Sequence, residues 1–286
     1  MKYVTTIKEE FIEKAKKISA ESYYYGNEIL YKMCRDQSIL PESINEKETL
    51  NRFESALLII GKTYSASPDR GSGIRIADGR GTFFSTLARE IVENKDYPSF
   101  RSLLLRLMNE KYSFANDGND VNILEDTVRC VDVFNRLIME SIGKMRRDNG
   151  VQNQKPIKNC VSFASKFLHF MVPHVFFIKD TISFTHGTRL LGKKGSLLSF
   201  CCETRFCLNY VALSENEHGS KTSCANKETV ELNIRDYCYH VQRAYQLAYF
   251  LSKNEIECVA QIKDDDNSRY ITRLVDSILM QEIISA

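Results

Sequence analysis

Apolar residues recur along this chain at intervals of three and four, the spacing that gives an α-helix one buried stripe. Phe53, Ala56, Leu57 and Ile60 fall on one face of a helix predicted over Leu50–Ile60. The same period predicts helices over Phe83–Val92, Phe100–Met108 and Val121 to about Met145. Phe11–Ile18 and Ile29–Met33 form an expected N-terminal helical pair that ends near Pro41. Further on, a helix is expected over Val161–Phe170 and another from Asp180, with Val230–Leu251 and Arg269–Ile284 closing the chain. No strands alternate with these helices as a parallel sheet would require, so the expected class is all-α, with room for a small β element.

Two stretches break the period. Ser65–Gly81 carries Gly71, Gly73, Gly79 and Gly81 together with Arg70, Arg75 and Arg80. It is no phosphate-cradling P-loop, because no Gly-Lys-Ser/Thr follows. Its arginines offer a clamp on a nucleic-acid backbone or a reach into a groove. In Gly192–Lys227 the register is least clear, and short strands fit there.

With 286 residues, 43% of them hydrophobic, the chain is long enough for one large domain or two closely packed lobes. The most apolar stretch, Val161–Ile178, is interrupted by Ser162, Ser165, Lys166, His169, Pro173 and His174, so no membrane span is expected. The first ten residues lack the apolar centre of a signal peptide. Nine scattered cysteines make no disulfide framework, which points to a reducing, cytoplasmic setting. Cys201, Cys202, Cys207 and Cys224 lack the spacing of a metal or iron–sulfur loop; ordinary buried thiols, and no cofactor, are the expectation.

The net charge of +2 hides an asymmetry. Between Lys144 and Lys194 stand ten basic residues and two acids, a local net of +8, while the rest of the chain carries 29 basic and 35 acidic residues, a net of −6. Such a segment suits either a surface that meets a polyanion or a solvated helical face.

Within it, Ser162, Lys166 and His169 share one helical face, Pro173 stops the helix, and the apolar run Val175–Ile178 delivers Asp180 to the next helix start. Asp180 there reads either as an N-cap or as a catalytic carboxylate. Lys166 reads as a phosphate contact or as a lysine snorkelling from an apolar helix. His169 reads as a hydrogen-bonded core residue or as part of a site. Tyr64, beside the glycine-rich loop, is a candidate for lining a pocket, and Tyr23, Tyr24 and Tyr25 offer stacking surface or core.

The stretch from Asn159 to Ser183, with Ile178-Lys-Asp-Thr-Ile as its turn, resembles the catalytic part of the helix-hairpin-helix DNA glycosylases. Ala164-Ser-Lys-x-Leu-His-Phe, with the later Phe-x-Ile-x-Asp, is similar to a divergent branch of bacterial glycosylase-like proteins, some of which act against phages with modified bases. The resemblance covers roughly residues 150 to 195. It implies a single glycosylase-like domain over 1–286, two helical lobes with a cleft between them, and Asp180 as the catalytic aspartate. Ser162 stands where members with lyase activity carry a lysine, which implies attack by water alone. DNA is the implied partner, with Lys155, Lys158, Arg189, Ser162, Lys166, His169, Tyr64, Arg70 and Arg80 as candidate contacts. The family hairpin's glycines are missing from Gln154-Lys-Pro-Ile-Lys-Asn, and Thr185 stands where an arginine is usual. A DNA-binding module without catalysis and a helical protein-interaction protein are the other readings.

Overall fold

A computed structural model of the chain describes residues 28–34, 39–64, 66–70, 72–74, 82–110, 121–151, 156–157, 159–191, 235–241, 243–245, 247–248, 251 and 267–280. Every regular element among the described residues is a helix and none is a strand, so the all-α expectation holds there. The predicted helix over Phe11–Ile18 and the stretch Gly192–Lys227 lie outside the described residues.

Helix α1 spans Glu28–Cys34, α2 Lys47–Thr63, α3 Phe83–Glu93, α4 Tyr97–Asn109 and α5 Val121–Asp148. The Thr82 side chain accepts from the Ser85 amide while the Ser85 hydroxyl accepts from the Thr82 amide, a reciprocal cap that fixes where α3 starts. Helix α4 begins earlier than the Phe100 expected from periodicity, because Pro98 sits in its first turn, where a missing N–H costs nothing. Helix α5 ends in a Schellman turn. The Val151 amide reaches the Arg146 carbonyl, the Gly150 amide reaches Arg147, and Gly150 takes a φ of 64°.

These helices pack through apolar stripes, α2 on α3, α3 and α4 on α5. Aromatic rings join the stripes. Phe100 stacks on Phe134 at 4.8 Å and 7°, Phe134 meets Phe167 at 5.0 Å, and Phe53 meets the same ring edge-on at 5.7 Å. Rings in such offset and edge-on pairs bury much area at little entropic cost.

Phe167 belongs to α6, Val161–Met171, which packs against α1, α2 and α5 and is buried along all but its Ser162 position. Its first turn has no cap of its own; Asn159 accepts from the Val161 amide and Asn135 of α5 accepts from the Cys160 amide. Helix α7 covers Thr181–Leu191 and packs on the last described helix, α9, Asn267–Met280. Between them in sequence lies a helical segment, α8, described at residues 235–241 and at several positions up to 251. No helix among the described residues is long and apolar enough to cross a membrane. Cys34, Cys130, Cys160 and Cys238 are buried free thiols, and burial pushes those of Cys34 and Cys160 up to about 12.

Candidate active site around Asp180

The site grows out of a short stretch that is neither helix nor strand. After α6 ends, residues 175–179 run through the interior with Val175, Phe176, Phe177 and Ile178 buried. A buried backbone must find partners for its amides and carbonyls, and here side chains supply them. The Phe176 carbonyl accepts from Nδ1 of His169 at 2.7 Å and the Phe177 carbonyl from the Tyr237 hydroxyl at 3.3 Å. The Ile178 carbonyl accepts from Nε2 of His240 at 2.7 Å, and the Lys179 amide donates to the Ser165 hydroxyl at 3.0 Å. The Thr272 hydroxyl of α9 holds the Pro173 carbonyl at the start of the stretch. Three helices thus clamp a segment whose last act is to present Asp180.

Asp180 divides its carboxylate between two tasks. Oδ1 accepts from the Ser183 amide at 2.8 Å, and the Asp180 amide donates to the Ser183 hydroxyl at 3.1 Å, so Asp180 caps α7. Oδ2 faces Nζ of Lys166 at 3.9 Å, a separation of opposite charges without a direct hydrogen bond. The Lys166 side chain is 7% exposed and that of Asp180 18%, so solvent reaches the acid more readily than the base. Lys166 Nζ also donates to the Tyr64 carbonyl at 3.4 Å and lies 5.8 Å from the Tyr64 ring. Burial lowers the Lys166 pKa, against the opposing pull of Asp180 and Asp276.

A second ion pair stands on α9. Arg273 and Asp276 form a buried ion pair, and Oδ1 of Asp276 is buried with no hydrogen-bond partner. Burial raises the Asp276 carboxyl to about 6 despite Arg273, with Asp180 adding to the rise. Lys166 with Asp180 and Arg273 with Asp276 are thus two ion pairs whose charges act on one another.

The structure brings together Asp180, Lys166 and Tyr64. It separates His169 from them: His169 is fully buried, with Nδ1 bound to the Phe176 carbonyl and Nε2 accepting from the Tyr31 hydroxyl at 2.7 Å. With both nitrogens used inside the fold and its pKa lowered by burial to about 3, His169 acts as a neutral core residue in this arrangement. Ser162 is half-buried in the first turn of α6, where its carbonyl accepts from the Ser165 hydroxyl. Arg70 is exposed on the turn at 68–70. Lys155, Lys158, Arg75, Arg80 and Tyr23 to Tyr25 lie outside the described residues, as does the side chain of Arg189.

The described basic residues of the segment have different settings. Lys144 pairs with Glu90 at 2.6 Å, Arg146 donates to the Ser72 carbonyl at 2.8 Å, and Lys166 is internal. Lys179 lies against Phe184, its Nζ 5.1 Å from the ring centre. Sequence reasoning missed Tyr237, His240, Thr272, Arg273 and Asp276. A signal for the last two existed: Arg273 and Asp276 at i, i+3 interrupt the apolar Leu274, Val275, Ile278 and Leu279.

Among the described residues no group of histidine, cysteine and acidic side chains is arranged to hold a metal ion. A cleft of about 550 Å³ lies between α3 and the end of α5, lined by Thr86, Arg89, Glu90, Met145 and Asp148 among others, and shares no residue with the Asp180 cluster. Comparison with models of known families, with curated proteins and with solved structures finds no match.

Proposed function

We propose that this chain is a DNA glycosylase without lyase activity, which hydrolyses the N-glycosidic bond of a modified base, of the class found in phage genomes, in anti-phage defence. The observation that carries the reading is the presentation of Asp180. A carboxylate is fixed by Ser183 through one oxygen, held at the end of a side-chain-clamped segment, and partly open to solvent. N-glycosidic cleavage builds positive charge on the sugar, and a pre-positioned anion stabilises it where reorganisation would otherwise be needed. Oδ2 of Asp180 fills that role and orients the water that attacks the sugar. The target nucleotide leaves the stack to reach it, so selectivity comes from the pocket that receives the base. The resemblance of residues 150 to 195 to the helix-hairpin-helix enzymes supports the same chemistry and the two-lobed arrangement. Phosphate contacts are proposed for Lys155, Lys158, Arg189, Arg70 and Arg80.

The test is release of free bases from phage and bacterial DNAs, followed by mass spectrometry, for wild type and Asp180→Asn. A released base that falls by roughly a hundredfold or more in Asp180→Asn is the expected outcome. No released base from any DNA sinks the reading.

One observation favours a second reading, a DNA-binding scaffold without catalysis: both oxygens of Asp180 already face internal partners, Ser183 and Lys166. It requires salt-sensitive DNA binding, with log affinity falling linearly against log salt, and no abasic product.

A further inference from the structure

The Phe184 ring gathers more than packing requires. It stands in the first turn of α7, one turn beyond Asp180, and is partly exposed. Nζ of Lys179 lies 5.1 Å from its centre, and the guanidinium carbon of Arg243, from α8, lies 4.9 Å away. Both are cation–π distances, so one ring holds two positive charges. Nε of Arg243 also stands 3.6 Å from where a Cβ on Gly187 would be, so this side chain lies against α7 at both Gly187 and Phe184. The His240 ring stands 6.5 Å from the same phenylalanine and adds no charge, because burial holds it near 3 and its Nε2 donates to the Ile178 carbonyl.

Two cations gathered on one ring repel each other, and an anion between them relieves the repulsion. Among the described residues no hydrogen bond or ion pair engages the Lys179 ammonium. Burial lowers its pKa, Asp236 opposes that, and Arg243 lowers it further. A half-buried ammonium in that position lacks the counter-charge that desolvation demands.

We propose that Lys179, with Arg243 sharing the Phe184 ring, binds a backbone phosphate of DNA, that of the nucleotide whose sugar faces Asp180. The proposal rests on DNA being the partner, as in the reading above. Lys179 and Asp180 are consecutive and both lean on the first turn of α7, Asp180 through the Ser183 amide and Lys179 through the Phe184 ring. A sugar at Oδ2 of Asp180 therefore leaves its phosphate beside Lys179. Lys179, half-exposed, makes the contact as a point charge. Arg243, 3% exposed, strengthens the field without touching the DNA.

The experiment is fluorescence anisotropy with a short labelled duplex that carries one abasic tetrahydrofuran nucleotide, which leaves the stack at little cost. In wild type log affinity should fall linearly with log salt, and in Lys179→Gln the slope should be smaller by about 0.9, one phosphate's worth. Lys179→Arg should keep the wild-type slope. A slope unchanged in folded Lys179→Gln overturns the proposal, as does a wild type that does not bind this duplex at low salt. If Lys179→Gln does not fold, wild type labelled at lysine Cε decides by NMR, with the Lys179 signal assigned through Lys179→Arg. That signal should move when the duplex is added and stay in place when the phosphates flanking the abasic nucleotide are neutral methylphosphonates; any other pattern overturns the proposal. None of these arms needs turnover. A changed slope with no base released from any DNA sinks the glycosylase reading alone, and Asp180-dependent base release with an unchanged slope sinks this one alone.

Discussion

Helices α2 to α4 and helices α6 to α9 are built on different principles, with α5, which buries Thr127, Asp132, Asn135 and Ser141 beside its apolar stripe, between the two. In the first group each helix buries a stripe and exposes the rest. Helix α2 buries Leu50, Phe53, Ala56, Leu57, Ile60 and Gly61, while its Arg52–Glu48 pair lies in solvent. In the second group polar and charged residues are inside. Helix α6 buries Ser165, Lys166 and His169 with its phenylalanines, and every described side chain of α9 from Thr272 to Leu279 is buried, Arg273 and Asp276 among them. Apolar stripes suffice to hold a scaffold. Interior charges and hydrogen bonds cost desolvation and demand partners, so their concentration around 173–180 sets this region apart from a scaffold held by apolar stripes.

The sharpest way to break this comparison is to remove one interior charge. Arg273→Met leaves Asp276 buried without its ion-pair partner. The expected loss is about 3–5 kcal/mol of unfolding free energy in urea denaturation, and adding Asp276→Leu should restore most of it. A single variant within about 1 kcal/mol of wild type would mean that the α9 pair contributes little, and the contrast with α2–α4 would collapse.

Acid should act mainly on the second group. His169 and His240 fall from an ordinary 6.5 to about 3 in the fold because burial disfavours their charged form. The unfolded chain therefore binds two protons that the folded chain refuses, and stability present above pH 6.5 is lost as pH falls toward 3. Asp276 has the opposite sign. Raised to about 6, it favours the fold at low pH, and that contribution is lost as pH rises through 6. The balance is close to one proton, so unfolding free energy should drop by roughly 1.4 kcal/mol per pH unit between pH 6 and 4. His169→Gln keeps a donor for Phe176 and an acceptor for Tyr31 but cannot titrate. Its slope over that range should be near zero; a slope equal to wild type would refute the assignment of His169 as a neutral core residue.

The same contrast governs what could be read from the residues alone. The stripe at Phe53, Ala56, Leu57 and Ile60 predicts α2, because the period of burial is written in consecutive positions. Asp180 is legible too: Pro173, an apolar run and an aspartate before a helical stretch imply a cap, and the structure places it as one. Its surroundings are not legible. Tyr237, His240, Thr272 and Asp276 reach the site from helices far along the chain, and periodicity says which face is inside, never what that face meets. The basic run from Lys144 is legible as charge, but the setting of each of its side chains is not. Lys144 and Lys166 are close in sequence, yet one lies on the surface beside Glu90 and the other inside beside Asp180.

Smaller effects belong to the scaffold. Gly150 closes α5 at φ 64° with nothing within 4 Å of where a Cβ would stand. Gly150→Ala therefore meets strain and no clash, and should cost about 1 kcal/mol in thermal or urea unfolding. A neutral result would mean that the turn relaxes away from the left-handed conformation.

The smallest expected effect is also the counterpart of Arg273→Met. Arg106 of α4 pairs with Asp126 of α5 at 2.8 Å, with side chains 51% and 20% exposed. It joins two helices where the interior pair lies within α9, and water screens it while both side chains lose entropy in making it. Arg106→Ala should change stability by at most about 1 kcal/mol, and the difference should shrink further between 0.05 and 1 M salt, since the screening length falls to about 3 Å. Arg273→Met should keep most of its cost at the same high salt, because an interior pair is screened far less. If the two losses fall together with salt, the α9 pair is reached by solvent and does not behave as an interior pair.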